Sequence, residues 1–323
     1  MDKLISFFNE KLPLIENYLA KLVDSINPVV KPVAKHIVLA GGKRLRPFLC
    51  ILTARALGYK NEEEILPLAC AIEIIHSATL LHDDIIDNAD NRRGKKAAHL
   101  IFGITETILA GDALLALANK IVTDYYNNVS LVSCISEAIH KTAAGEILEI
   151  QKMREPYLSK EDYFEIIKGK TAYLIQSCCQ GGAILANCES SLEEAAKNFG
   201  FNIGIAFQLI DDALDYRVNL DLGKPKGGDL KEGKITLPLI FYLEQIEHNK
   251  KVELISKIKT HRLTEEEKFF IIYEIQKRGI LNLVKKEAEL YLNQAKKHLD
   301  LFPLTSEKEL LFDVIEFIKN RKK

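Results

Sequence analysis

The chain has no excess of either charge, few prolines and glycines, few cysteines and no long apolar run. Lys plus Arg total 44 and Asp plus Glu total 45, a formal balance of −1. A dedicated nucleic-acid binder carries a basic excess, so the balance argues against that class. Nine prolines and 17 glycines in 323 residues exclude a collagen-like or linker-dominated chain. Six cysteines do not make a disulfide framework, and no Cys-x-x-Cys pair points to zinc. Reduced thiols in a cytoplasmic protein are the simplest reading. The first 20 residues carry Asp2, Glu10 and Glu16 among apolar residues and do not read as a targeting segment. Residues 101–118 read as the most apolar region, but Thr105, Glu106 and Asp112 interrupt it. No segment is therefore expected to span a bilayer.

Hydrophobic residues make up 47% of the chain, enough for a sizeable core. They recur at helical spacing almost throughout, and period-2 alternation is scarce. Capping boxes are expected at Ser159 with Asp162, Ser191 with Glu194 and Thr264 with Glu267, and a looser one at Asn61 with Glu64. Leu158 and Tyr163 suit the hydrophobic staple that accompanies the first. Breaks are expected at Gly41-Gly42, Gly58, 91–94, 154–156, 187–190 and 222–233. The reading is a single all-α domain over residues 1–323, with helices packed around a central one or two.

Two acidic clusters share one spacing: Asp83-Asp84-Ile85-Ile86-Asp87 and, 128 residues later, Asp211-Asp212-Ala213-Leu214-Asp215. Three Asp at fixed positions arise by chance on the order of 0.04 times per chain of this composition. One cluster alone reads equally well as a solvated helix end; a matched pair does not. On a helix, Asp83 and Asp87 share a face, as do Asp211 and Asp215. Apolar flanks such as Leu80, Leu81, Ile210 and Leu214 make uncompensated carboxylates costly. A hard divalent cation compensates them, and oxygen donors without His or Cys suit Mg²⁺.

Mg²⁺ held by few carboxylates usually shares substrate phosphates. Companion cations are present. Gly41-Gly42-Lys43-Arg44-Leu45-Arg46 puts glycines beside guanidiniums, Arg92 and Arg93 follow the first cluster, and Lys168 and Lys170 flank Gly169 within an apolar helix. Lys224, Lys226, Lys231 and Lys234 follow the second cluster. Such an arrangement suits a diphosphate better than a nucleic-acid backbone. The basic 319–323 tail reads as a solvated terminus.

At these residues the sequence resembles the trans-polyprenyl diphosphate synthases, and in particular their long-chain, octaprenyl-type members. The resemblance runs from about Gly41 to Pro238. It is carried by Gly-Gly-Lys-Arg-Leu-Arg-Pro (41–47), Glu-x-x-His (73–76), His-Asp-Asp-Ile-Ile-Asp (82–87), Arg-Arg-Gly (92–94), Gly-Asp (111–112), Lys-Thr (170–171), Phe-Gln-Leu-Ile-Asp-Asp (207–212), and Gly-Lys at 223–224 and 233–234 with Asp229. It implies antiparallel helices around a deep central cavity, usually in a homodimer. It also implies head-to-tail condensation of isopentenyl diphosphate with an allylic diphosphate. By the resemblance, Asp83 and Asp87 ligate two Mg²⁺ (Mn²⁺ as a substitute) and Asp211 a third. Asp84, Asp212 and Asp215 support them. Arg92, Lys170, Lys224 and Lys234 hold the allylic diphosphate. Lys43, Arg46, His76 and Arg93 hold isopentenyl diphosphate. Thr171 and Gln208 line the reacting end, and His82 is structural. A terpene cyclase shares the acidic motifs but has no need of the second diphosphate site.

Side chains four and five positions before Asp83 lie one helical turn below it. They are Thr79 and Ala78, with Ile75 next, and no aromatic occurs on residues 69–87. Small residues there leave room for a long product. Octaprenyl length, for quinone side chains, is the favoured reading, a farnesyl or geranylgeranyl product the alternative. A long apolar product makes a peripheral membrane contact useful for release.

Overall fold

A computed structural model describes residues 2–155, 157–219, 224, 225 and 227–321. The chain is all-α. Its helices are α1 (Asp2–Ser25), α2 (Lys31–Val38), α3 (Leu45–Ala56), α4 (Glu62–Ile86), α5 (His99–Phe102), α6 (Ile104–Tyr126), α7 (Val129–Arg154), α8 (Lys160–Ile167), α9 (Tyr173–Leu185), α10 (Ser190–Asp215), α11 (Gly228–Lys231), α12 (Leu237–Leu243), α13 (His248–Lys259), α14 (Glu265–Lys277), α15 (Ile280–Asp300) and α16 (Ser306–Lys319). Two antiparallel ribbons interrupt them, β1 (Asn91–Arg92) with β2 (Lys95–Lys96), and β3 (Val218–Asn219) with β4 (Lys224–Pro225).

The chain forms two compact units, each drawn from three stretches. The first comprises Met1–His140, Leu174–Gly200 and His298–Val314; the second comprises Lys141–Tyr173, Phe201–Lys297 and Ile315–Lys323.

In the first unit α4 is the central helix, packed by α1, α2, α3 and α6. It is buried on every side over residues 67–75, which matches an apolar pattern wider than one stripe. Among the described residues α4, and not 101–118, is the helix long and apolar enough to cross a membrane; most of it is buried in the protein instead. Pro67 lies inside α4 and breaks its ladder of backbone bonds. The Tyr126 hydroxyl repairs the gap: it accepts from Leu68 N at 2.9 Å and donates to the Glu64 carbonyl. Gly111 on α6 leaves room for the His82 ring, because a Cβ there would lie 2.2 Å from Nε2. That ring sits 3.1 Å from the Ile108 carbonyl and so links α4 to α6.

In the second unit α8 runs into a π-helical turn, Lys168–Ala172, before α9. The turn abuts α7 at two glycines. A Cβ on Gly169 would stand 2.4 Å from the Gly145 Cα, and one on Gly145 would be 2.5 Å from the Gly169 Cα. Backbones meet there with no side chain between them.

The Ser159–Asp162 and Thr264–Glu267 capping boxes form as expected. Two others do not. Asn61 stands at the N-cap of α4, but its amide donates to the Glu64 carboxylate at 2.8 Å instead of capping the backbone. Ser191 falls inside α10, which begins at Ser190. Ser190 thus takes the first helical position, and its neighbour's side chain is no longer placed for capping. All six cysteines are free thiols, and Cys178 and Cys179 are buried neighbours on α9.

Candidate active site

The first unit carries the first acidic cluster and the cations near it in sequence. Asp83 and Asp87 close α4 on one face and are half-buried, while Asp84 is fully buried. The buried carboxylate accepts from Arg92 Nε at 2.7 Å, and Arg92 Nη2 donates to the same oxygen. Its other oxygen, Oδ2, is buried and has no hydrogen-bond partner among the described residues. Arg92 is brought there by the β1–β2 hairpin. Its two turn residues, Arg93 and Gly94, both have positive φ (51° and 77°), the pattern of a type I′ turn. Arg92 therefore belongs to the Asp cluster first, and the role the resemblance implies, holding an allylic diphosphate, must share it.

The Gly41-Gly42 pair has a steric cause. Both residues have positive φ, and a Cβ on Gly42 would press on the Arg93 guanidinium at 3.2 Å. Arg93 donates to the Gly41 carbonyl and so lies along the glycine backbone. The next residues divide their work. Arg44, at the N-cap of α3 with φ 48°, is buried between Glu16 (Nε–Oε1 2.7 Å) and Glu73 (Nη1–Oε1 2.8 Å) and also donates to the Val38 carbonyl at 2.6 Å. It is a structural strut. Arg46 differs: its Nε is buried without a partner, and Lys43 beside it is exposed. His76, one turn after Glu73, is pushed well below the usual histidine range by burial and by the Arg46 and Arg93 guanidiniums. A neutral imidazole among Arg46, Arg93 and Arg92 makes a cationic hollow that an anion would complete.

The second unit holds the other acidic cluster in a hydrogen-bonded chain. Thr171 Oγ1 donates to Gln208 Oε1 at 2.7 Å, and Gln208 Nε2 donates to Asp212 Oδ1 at 2.6 Å. The Tyr163 hydroxyl donates to Asp212 Oδ2 at 2.5 Å. Burial pushes the Asp212 carboxyl upward, against those donors. Asp215 Oδ2 accepts from the Asp229 amide at 2.9 Å, which ties α10 to the start of α11. Asp229 is itself pushed well above the carboxylate range by burial and by Asp212 and Asp215, with Lys234 opposing. Thr171, Gln208, Asp212, Asp229 and Lys234 line one cavity of about 130 Å³.

Lys170 reaches between Glu146 (3.2 Å) and Glu149 on α7, and Lys234 pairs with Glu232 at 2.8 Å. Lys168, its neighbour in the π turn, pairs with Glu165. The side chain of Lys224 lies outside the described residues, as do Gly223 and Lys226. Four functional neighbours escaped the sequence reading. Glu146 and Glu149 had a signal, an i, i+3 acidic pair one helix away from Lys170. Tyr163 was read only as a staple residue. Arg321, read as part of a solvated tail, instead lies 2.9 Å from Asp211 with its side chain 11% exposed.

Mg²⁺ fits the donors present. Every candidate ligand is a carboxylate, which suits a hard cation. Among the described residues no three His, Cys, Asp or Glu side chains converge into a cage that would hold a metal by themselves. A cation that keeps one or two carboxylates and completes its shell with phosphate oxygens needs no such cage.

Two helices that each present a matched acidic triad, with cations at hand, define an all-α enzyme of diphosphate chemistry. Known proteins agree. The polyprenyl synthetase family matches residues 27–275. An octaprenyl diphosphate synthase of Escherichia coli (strain K12) is 39% identical over 225 residues, 68% of this chain and 69% of that protein. A geranylgeranyl diphosphate synthase of Methanosarcina mazei is 34% identical over 309 residues, 93% of each. A crystal structure of a polyprenyl synthase from Caulobacter crescentus CB15, complexed with calcium and isoprenyl diphosphate, superposes with a TM-score of 0.90 at 34% identity, covering 100% of this chain and 98% of that one. The chain belongs to the polyprenyl synthetase family, has the isoprenoid-synthase fold and is a prenyltransferase.

Proposed function

We propose that this prenyltransferase condenses isopentenyl diphosphate head-to-tail with an allylic diphosphate, with Mg²⁺, to a long all-trans product of octaprenyl length. The observation that carries it is the shared build of the two triads. In each, the middle Asp is buried and fixed by side-chain donors, Arg92 on Asp84 and Tyr163 with Gln208 on Asp212. The first and last Asp of each stand one helical turn apart on the same face.

Asp83, Asp87 and Asp211 would hold Mg²⁺, with Asp84, Asp212 and Asp215 as supports. When bound, the metal neutralises the departing diphosphate as a Lewis acid. Arg92, Lys170, Lys224 and Lys234 bind and orient the allylic diphosphate. Lys43, Arg46, His76 and Arg93 bind isopentenyl diphosphate. Thr171 spends its proton on Gln208, so the lone pairs of its oxygen remain available toward the reacting carbon. The proton lost after carbon–carbon bond formation goes to the released diphosphate, since no separate base is assigned.

Thr79 and Ala78 below Asp83 support a long product, and the quinone side chain is its use. Shorter-chain synthesis is the second reading, favoured by the identity to a geranylgeranyl synthase. The chain acts in the cytoplasm as a homodimer: half-exposed Leu100, Ile101, Ile104, Ile108 and Leu109 on α5 and α6 offer an apolar face for a second copy. The test is incubation of the purified protein with labelled isopentenyl diphosphate, Mg²⁺, and farnesyl or geranylgeranyl diphosphate, followed by chromatographic sizing. Label in C40 chains supports the reading. C20 chains support the shorter one, and no incorporation rejects both.

A further inference from the structure

Tyr163 lies outside every motif that carries the resemblance, yet it touches the second acidic triad. It stands on the first turn of α8, where the Ser159–Asp162 capping box sets the start of the helix. Leu158 before the cap and Tyr163 after it are both buried and both line the cavity that holds Asp212, as a staple pair should. A staple needs only the ring. The hydroxyl has a separate partner, Asp212 Oδ2 at 2.5 Å, while Gln208 Nε2 takes Oδ1 at 2.6 Å. Asp212 is thus held at both oxygens by donors from two different helices, α8 and its own α10. With both oxygens occupied, its carboxylate plane is fixed, and so is the last turn of α10 that presents Asp211 and Asp215.

We propose that Tyr163 is a positioning residue for the metal-binding triad: its hydroxyl, acting through Asp212, sets the affinity of Asp211 and Asp215 for a divalent cation bridged to diphosphate. The inference rests on the prenyltransferase reading for the identity of the ligand, and on this network for the role of Tyr163. A hydrogen bond donated from outside the ligand set orients a carboxylate and favours its ionised form, and losing such a contact usually weakens a metal site about tenfold or more. The phenol of a fully buried tyrosine serves well, because its ring is locked by packing and its O–H has nowhere else to turn.

Tyr163→Phe keeps the ring, the staple and the cavity wall and removes only the donor. Leu158→Ala loosens the staple and leaves the donor in place. Mn²⁺ binding with inorganic pyrophosphate is followed by electron paramagnetic resonance on wild type and both variants, beside thermal unfolding of the metal-free proteins. The expected result is an Mn²⁺ dissociation constant about tenfold higher in Tyr163→Phe and unchanged in Leu158→Ala. The Mg²⁺ concentration for half-maximal turnover should rise in parallel in Tyr163→Phe, with turnover at saturating Mg²⁺ much less affected. Equal Mn²⁺ affinity in wild type and Tyr163→Phe overturns the proposal, as does an equal loss in Leu158→Ala, which would make the role merely structural. If wild type binds Mn²⁺ with pyrophosphate but transfers no prenyl group, the prenyltransferase reading falls while the binding curves still decide the role of Tyr163. If wild type binds no Mn²⁺, both fall.

Discussion

The guanidinium of Arg321 lies 2.9 Å from Oδ1 of Asp211, and its Cζ sits 4.6 Å from the centre of the Phe207 ring. A residue just past the end of α16 therefore rests on the first aspartate of the second triad. The aspartate is 47% exposed, so solvent screens the pair and it is worth at most about 1 kcal/mol. A cation bound at Asp211 must compete with that guanidinium. Arg321→Ala should lower the Mg²⁺ concentration for half-maximal turnover by up to about fivefold. A Mg²⁺ titration checks it; a higher requirement would mean that Arg321 assists the metal instead of competing with it.

The aspartates of the first triad should separate function from stability. Asp83→Ala should abolish turnover and change stability by less than Asp84→Ala does, since Asp83 is only half-buried while Asp84 is fully buried. Asp84→Ala should lower stability by about 2 kcal/mol, because it strands Arg92 without its buried partner. Thermal unfolding and a turnover assay on both variants decide the matter. Near-normal turnover in Asp83→Ala would remove its metal role.

His76 should make the protein acid-sensitive in a defined window. Its folded pKa lies well below the ordinary 6.5, through burial and the neighbouring guanidiniums. Above about pH 6.5 neither state holds the extra proton, and its contribution is constant. Below that pH the unfolded chain takes up a proton that the folded chain refuses, so stability falls by up to about 1.4 kcal/mol per pH unit. Denaturant unfolding at pH 7.5 and 5.5 should show a smaller acid loss in His76→Gln than in wild type, by about 1 kcal/mol. An identical loss would show that His76 titrates normally.

Ala78 is fully buried one turn below Asp83. Ala78→Phe should cost about 1–3 kcal/mol of stability by overpacking and should shorten the product while turnover persists. Chromatographic sizing reads the outcome, and unchanged chain lengths would move the length determinant elsewhere.

Gly145→Ala would place a Cβ 2.5 Å from the Gly169 backbone. Neither backbone has a flexible end to move, so the expected loss is about 3 kcal/mol, with Lys170 and Thr171 displaced together. A melting temperature within a degree of wild type would show that the helices separate freely.

Much of the molecule was legible from local pattern. Helical periodicity showed the all-α class, and the spacing of Asp83, Asp84 and Asp87 and of Asp211, Asp212 and Asp215 marked the chemistry. Two capping boxes formed where the side chains said they would. The failures were local as well. Ser191 missed its cap by one position, and the weight given to 101–118 passed over α4, whose apolar residues are interrupted by Glu73 and carboxylates near its end.

Spacing along one helix is a property of the chain alone, because the rise and turn of the helix place i and i+4 together whatever surrounds them. For that reason the sequence by itself determined which aspartates pair on a face, and which family the protein joins. It did not say which partner each charge would meet. That Arg44 is a strut while Arg46 keeps an unpartnered Nε, that Lys170 lies between Glu146 and Glu149, and that Tyr163 and Arg321 reach the second triad were decided only by tertiary structure. Those contacts join residues 21 to 110 positions apart, and a hydrogen bond is set by where two backbones bring its ends, which no local pattern encodes.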